Sequence, residues 1–507
     1  MNTYIKILLG TCCSFSILSC SNNLDETVYS KVTEQTYNYT VDDFTPSIAS
    51  VYSYLRSQSD HWGYFCAQEV SADAIVMPPN ASGWDDGGAY RRNHQTWNSE
   101  QDHVKNIWSW FYQGALLCNK IIEQIETGVI PTPSDTEKTQ GLAELRAMRA
   151  YYYWQICDNF GDAPLVTTTA MDLPAKNTRR EIFDFVENEL IDLSEEVGGN
   201  YYGRMTKWAA KALLANLYLN AQVYVNEARW NDCITQCDDI INSGKFTLAE
   251  NYKDPFRTQG VESCKEIIFT IPYDENFATG NSIFMFSWHG ELKKKYNTID
   301  TPWGCGSAMG VTQFIDTYNE KDSRLADTWL MGQQLAADGT PLYGTYDKMG
   351  EPLIYTKDIP SGNYTSELEG YRMNKFEVAE NSYSSSNTDI PVFRYAEIMM
   401  MKAECLLRTG KSGAGTLVTQ VRQRAFKDNP ELATVTDSQL AGNTCYQYGY
   451  VEDYKIVDRG NTDPVQFGRM YDELGWEFAW EMHRRRDAIR FGIYTTKSWL
   501  SHKPEGD

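Results

Sequence analysis

Through much of this 507-residue chain, apolar side chains return every third or fourth position, the spacing of one face of an α-helix. Leu142, Leu145, Met148, Tyr152 and Ile156 make one such stripe, which Gly161 and Pro164 then bring to a stop. A second stripe covers 208–224, with Leu213, Leu214, Leu217, Tyr218 and Ala221 on one face. It is followed by a helical pattern at 230–241 that ends at Ser243-Gly244. Ala209, Ala210, Ala212 and Ala215 leave room for a partner helix to approach closely. The same plan returns at 395–407 and 414–425, and a last helix is predicted over 474–489, with Leu474, Phe478 and Met482 on one side. Paired helices of this kind look like tetratricopeptide units. No single pair buries its own apolar face, so stacking of neighbours supplies the core.

Residues 245–390 break that rhythm. The run Glu266-Ile267-Ile268-Phe269-Thr270-Ile271 predicts a short strand, and such runs alternate with loops rich in Gly, Asn, Asp and Pro, as at 276–281 and 360–363. Residues 60–100 are also loop-rich and dense in Trp. The pattern predicts a mostly α protein: tetratricopeptide-like helix pairs form a scaffold, and long loops with a few short strands carry the ligand face. Binding residues gather on loops of this kind.

The first residues follow a different logic. Lys6 precedes an apolar stretch too short to span a bilayer, and the stretch ends in Ile17-Leu18-Ser19-Cys20. A small residue before a Cys at the end of such a stretch is the pattern of a lipoprotein signal. Residues 1–19 are therefore expected to be removed and Cys20 to carry lipid, with several acyl chains giving firm attachment. Residues 20–40 read as a polar tether, and 41–507 as a single domain with a loop-rich insertion at about 245–390. No later run approaches the ~20 apolar residues of a spanning helix.

Composition narrows the partners. Hydrophobic residues make up 42% of the chain and charged residues 22%, enough for a real core. With 46 basic and 68 acidic residues the formal net charge is −22, which argues against nucleic acid as a partner. Of 12 cysteines, setting aside Cys12, Cys13 and Cys20 leaves nine, an odd number scattered through helical patterns. Cys233 and Cys237 lie one turn apart with no His or second Cys pair near them in sequence, so buried thiols are expected there and zinc is not.

Ordered segments along nearly the whole chain carry a resemblance. They are Ser71-Ala72-Asp73; Leu145-Arg146-Ala147-Met148-Arg149-Ala150-Tyr151-Tyr152-Tyr153 with Asp158-Asn159-Phe160-Gly161-Asp162-Ala163-Pro164; Ala209 to Ala215; Ile390-Pro391-Val392-Phe393-Arg394-Tyr395; and Glu473-Leu474-Gly475-Trp476-Glu477-Phe478-Ala479-Trp480-Glu481 with Arg484-Arg485-Arg486-Asp487. In this set and order, behind a lipoprotein signal, the chain resembles the SusD/RagB family of outer-membrane nutrient-binding lipoproteins. Gly475 and Met482 depart from the pattern, standing where Arg and Gly are more usual. The resemblance implies one α-rich domain with four tetratricopeptide-like helix pairs. It also implies an outer-membrane, cell-surface location and delivery of oligosaccharides to a SusC-like, TonB-dependent transporter, without enzymatic activity.

Sugar rings present apolar C–H faces to flat aromatic rings, and their hydroxyls are met by carboxylates, amides and Arg. Trp84, in Ser82-Gly83-Trp84-Asp85-Asp86-Gly87-Gly88, and Trp303, in Thr301-Pro302-Trp303-Gly304-Cys305-Gly306, lie in polar, Gly-rich contexts. Trp288 is flanked by Phe284 and Phe286, which could continue a strand. Each of these rings either faces a ligand or folds back under its loop as local core. By position, the resemblance adds Asp73, Asp85 and Arg372; Asp73 is alternatively a cap, and Arg372 a scaffold ion pair. Trp108, Trp110, Trp154, Trp208, Trp476 and Trp480 sit at helical spacing and are expected in the core. The basic run His483 to Arg486 is expected to end a helix, where cations complement the terminus. No cofactor is expected, although a structural calcium is compatible with an exported sugar-binding protein. Two alternatives stay open: a peptide-binding RagB-like uptake protein, and a glycoside hydrolase, which needs two carboxylates ~5–9.5 Å apart across the sugar.

Overall fold

Seven helices stack in chain order to form the body of the protein. They are α1 (Asp102–Glu126), α2 (Asp135–Phe160), α3 (Arg179–Leu193), α4 (Lys207–Leu219), α5 (Trp230–Asn242), α6 (Tyr395–Arg408) and α7 (Ala414–Gln423). Each packs on the next, from α1 against α2 through to α6 against α7. The computed structural model of the protein describes residues 37–60, 63–83, 98–170, 173–193, 197, 202–278, 280–303, 306 and 308–504. Cys20, Trp84 and Asp85 lie outside them. Among the described residues no helix is long and apolar enough to cross a membrane.

Local chemistry sets the helix ends. Ser134 caps α2, its hydroxyl accepting the Glu137 N–H at 3.2 Å, and Thr206 caps α4 in the same way through Ala209 N–H. α1 and α2 approach so closely that a Cβ on Gly114 would lie 2.4 Å from the Tyr152 ring. The helix expected over 208–224 is stepped at Asn220, whose amide turns back onto the Asn216 carbonyl at 2.9 Å, and a short second piece, Ala221–Val225, follows. Among the tryptophans expected inside, Trp154, Trp476 and Trp480 are buried and Trp110 and Trp208 half-buried; Trp108 is 37% exposed, so for it the expectation is corrected.

Strand β1 (Ile267–Ile271) pairs antiparallel with β2 (Ile390–Arg394), closing the 245–390 insertion against the helices. Within the insertion are two-stranded fragments, such as Trp329–Leu330 with Arg372–Met373 and Gly332–Gln333 with Ile354–Tyr355.

The chain end departs from expectation. In place of one helix over 474–489 there are two, α8 (Gly468–Phe478) and α9 (Arg484–Arg490), joined by a turn in which Trp480 (φ 73°) and Met482 (φ 64°) take left-handed backbone. That conformation favours glycine and explains why Met482 is unusual at its position. Gly475 is equally constrained: a Cβ there would lie 2.5 Å from an Arg484 guanidinium nitrogen. The basic run therefore opens α9 rather than ending a helix. Its cations meet buried carboxylates: Arg484 pairs with Asp73 at 2.6 Å, and Arg486 stands 3.9 Å from Asp158.

A buried ion network lies at this break. Arg394 bonds Glu266 at 2.7 Å, Glu477 at 2.8 Å and Glu481 at 2.7 Å. Glu477 also meets Arg324 and Arg424, Glu473 takes Arg422 at 2.5 Å, and Glu481 takes Lys375. Burial alone would raise the Glu477 carboxyl, but Arg424, Arg394 and Arg324 hold it at about 2. The network ties β1, β2, α7 and α8 to the insertion. Away from it, Cys233 and Cys237 are free, buried thiols 4.0 Å apart in α5.

Candidate functional site

Two cavities lined by described residues of the helical body are too small for a ligand. One of about 20 Å³ lies beside Trp154 and Arg486 and another of about 10 Å³ beside Glu397 and Arg490, each the size of a water molecule. The surface of the insertion is different, because aromatic rings stand exposed there. Trp303 is 45% exposed, although its backbone is firmly held. The short helix Ile283–Ser287 offers the carbonyls of Met285 and Phe286, which accept the N–H groups of Trp303 and Ala308, both at 2.9 Å. Ser287 Oγ donates to the Ala308 carbonyl at 2.9 Å. Gly306 closes the loop at φ 74°, where a Cβ would lie 2.2 Å from the Ser287 carbonyl oxygen, so only glycine fits. Trp303, Gly306 and Ala308 are thus anchored points beside an exposed indole.

The chain that leads to Trp84 is fastened here. Asn80 is buried; its Nδ2 donates to the Gly306 carbonyl at 3.0 Å, while its Oδ1 accepts the Ser82 N–H at 3.0 Å. On the other side it bridges to Thr365, whose N–H donates to the Pro79 carbonyl at 2.9 Å. The last described residues before Trp84 therefore start beside the Trp303 loop, although Trp84 and Asp85 themselves lie outside the described residues.

The expectation that Asp73, Trp288 and Arg372 touch ligand is corrected, because all three are buried. Asp73 is ion-paired to Arg484 and accepts the hydroxyls of Tyr448 at 2.8 Å and Tyr471 at 3.0 Å. Trp288 stacks on Tyr296 at 4.0 Å and donates its Nε1–H to the Met373 carbonyl at 2.7 Å. Arg372 donates to the carbonyls of Glu369 and Gly370 at 2.7 and 2.8 Å, and its Nε lies beneath Gly306. Trp288 and Arg372 thus support the face from below, and Asp73 locks the scaffold.

Sequence reasoning missed a second anchor. Glu367 is buried, and its carboxylate accepts the N–H groups of Thr345 (2.8 Å), Tyr346 (2.9 Å) and Lys348 (2.7 Å), with His289 Nε2 at 2.9 Å. Glu291 N–H donates to His289 Nδ1, which assigns the proton to Nε2. Burial lowers the His289 pKa and keeps it neutral. Burial would raise Glu367, but the backbone N–H groups outweigh it and hold the carboxyl below its ordinary value. Around this anchor Tyr346 is 38% exposed and packs edge-on to His289 at 5.9 Å; Tyr364, one residue from the Asn80 bridge, is 49% exposed. Tyrosines separated by polar residues leave no periodic trace, and the acceptor role of Glu367 has no sequence motif.

The arrangement offers flat rings on stiff loops, chemistry suited to stacking on an uncharged, C–H-bearing surface. Two described carboxylates of this region are spent on structure: Glu367 as above, and Asp300 on the Ser384 N–H at 2.6 Å. Among the described residues no group of three or more His, Cys, Asp or Glu side chains could hold a metal ion.

Comparison with known proteins agrees with the fold. Residues 265–507 match a family model described as "SusD family", and residues 23–219 match one described as "Starch-binding associating with outer membrane". The chain is 26% identical over 405 residues to the starch-binding protein SusD of Bacteroides thetaiotaomicron, covering 72% of this chain and 67% of that one. It is 24% identical over 511 residues to SusD-like protein P25 of Formosa agariphila, covering 94% and 88%. Among solved structures, NanU of B. fragilis superposes with a TM-score of 0.68 at 19% identity, covering 94% of each chain. Surface glycan-binding protein A of Bacteroides thetaiotaomicron, solved with laminarihexaose, superposes with a TM-score of 0.63 at 16% identity, covering 91% of this chain and 95% of that one.

Proposed function

Because the chain belongs to the SusD family, we propose that it is a cell-surface glycan-binding protein that captures an oligo- or polysaccharide on the Trp303 face and does not alter it chemically. The observation that carries this reading is the exposed indole of Trp303, whose backbone N–H is held by the Met285 carbonyl and whose neighbours Gly306 and Ala308 are fastened to the segment beneath. A ring held still loses little freedom when a sugar stacks on it, so more of the contact energy appears as affinity. The names of the relatives, starch-binding and surface glycan-binding, support the ligand class. Trp84 and Asp85, which follow the Asn80 clasp, complete the platform in this proposal. Binding without catalysis fits the use of Glu367 and Asp300 as acceptors of backbone N–H groups.

The finer parts of the proposal rest on the family and the first residues of the sequence. Cys20 carries the lipid once residues 1–19 are removed, 20–40 tether residues 41–507 as one unit to the outer membrane, and the glycan passes to a SusC-like, TonB-dependent transporter.

Affinity electrophoresis tests the ligand class directly. The protein starting after Cys20 is run through gels containing starch, laminarin, xylan, mannan or pectin, with Trp303→Ala beside it. Retardation by one polysaccharide that disappears in the variant supports the reading. No retardation in any gel overturns it in favour of a peptide ligand, and release of sugar fragments overturns the absence of catalysis.

A further inference from the structure

The hairpin Gly449–Glu452 with Lys455–Asp458 turns through two residues, Asp453 and Tyr454, since Glu452 pairs directly with Lys455. Both turn residues have positive φ, 46° and 65°. This is the turn that favours Asn-Gly, because its second position accommodates glycine without strain. A bulky aromatic there is an outlier, which persists only when the surroundings hold it.

The surroundings do hold it. The Tyr454 N–H donates to the Pro360 carbonyl at 3.3 Å, and its hydroxyl donates to the Glu369 carboxylate. The other oxygen of Glu369 accepts the Ser366 N–H at 2.7 Å, and the Glu369 carbonyl receives Arg372, whose guanidinium lies under Gly306 of the Trp303 loop. Tyr454 therefore stands on the same 360–372 segment that supports the tryptophan mount. Yet the ring is 51% exposed. With its hydroxyl spent on Glu369, what it offers to solvent is a fixed apolar face.

Resting on the glycan-binding reading above, we propose that Tyr454 is a second stacking platform, which takes a sugar unit further along the same chain and gives preference for longer oligosaccharides. The strain at position 454 is retained because glycine, the residue the turn prefers, has no ring.

The test is isothermal titration of the wild type, Trp303→Ala, Tyr454→Gly and Tyr454→Phe with maltose and maltoheptaose, and with laminaribiose and laminarihexaose, alongside thermal unfolding of each variant. In the series that binds, Tyr454→Gly is expected to weaken the long oligosaccharide about tenfold while changing the disaccharide less than about twofold. Its melting temperature should not fall, because glycine relieves the turn. Tyr454→Phe keeps the ring and is expected to recover long-chain affinity to within about threefold. Long-chain affinity unchanged in Tyr454→Gly, with Trp303→Ala weakened, overturns the second platform and leaves the glycan-binding reading standing. Equal losses in Tyr454→Gly and Tyr454→Phe, with both melting temperatures lowered, overturn it in favour of a purely structural tyrosine. No binding of either series by the wild type overturns the second platform together with the reading beneath it.

Discussion

The buried charge network and the aromatic face use the same residue classes for opposite ends. Around Glu477, carboxylates and guanidiniums are removed from water and neutralise one another across four elements. At the face, Glu367 and Glu369 spend their charge on backbone N–H groups so that neighbouring rings can stand in water without moving. In the first region polar groups specify how helices meet. In the second they stiffen the loops that carry the exposed rings. The lesson is that damage should separate: loss in the network reads as unfolding, and loss at the face reads as affinity with the fold intact.

The sharpest way to break that contrast is Arg394→Met, which leaves Glu266, Glu477 and Glu481 short of a buried partner. A loss of roughly 3–5 kcal/mol in urea unfolding is expected, with any glycan binding lost only as the protein unfolds.

Next comes pH. Glu397, buried beside His483, has its carboxyl pushed up to about 8, chiefly by burial. Between the ordinary carboxylate value and about 8, the unfolded chain has released this proton and the folded chain keeps it, so rising pH drains stability. Glu397→Gln retains an acceptor for the Asn216 amide and removes that drain. Its advantage over the wild type should grow from pH 5 to 8, reach on the order of 3 kcal/mol and then level off. Glu477 acts in the opposite sense: its stabilisation is complete above the ordinary carboxylate value and is lost as pH falls toward about 2.

At the face, Trp303→Ala should leave urea unfolding within about 0.5 kcal/mol of wild type. Glycan affinity should drop by about 2 kcal/mol, roughly thirtyfold, in titration calorimetry. The smallest effect is expected from Asn80→Ala, which touches no ligand but unclasps the Trp84 segment from Gly306. About 1 kcal/mol of affinity should be lost, with a matching rise in backbone amide exchange at 80–83 and at Trp303 and Gly306.

The same contrast decides what could be read in the sequence. Helices α1 to α7 pack local, periodic apolar faces, and the stripes through Leu145 and Leu213 locate α2 and α4, although α2 begins at Asp135, well before its stripe, and α4 ends at Leu219, short of the expected 224. The break at 479–483 leaves no local mark. Glu473, Glu477 and Glu481 look like one solvated helical face, and only Arg324, Arg394 and Arg422, remote in sequence, turn that face inward. Trp303 was legible because nothing apolar surrounds it in the chain. Trp288 was half legible, its Phe neighbours hinting at the burial that Tyr296 completes. Asp73 and Arg372 were reached by position alone, which gives the neighbourhood of a site without saying which side of the surface a side chain occupies. Tyr454 was illegible, since a turn tip without glycine gives no turn signal.

The pairing of Asp73 with Arg484 spans 411 positions of sequence, and this has a bearing on when the protein can fold. Closing so long a loop is only modestly costlier than closing a short one, since each doubling adds about 0.6 kcal/mol. It nevertheless requires that both ends of the chain exist. A growing or truncated polypeptide that lacks α9 has no Arg484 to pair with Asp73. The helical stack can form early, but the lock between Asp73 and Arg484 waits for α9 to arrive. A chain built in this way keeps that lock open through most of its synthesis and closes it once α9 is made.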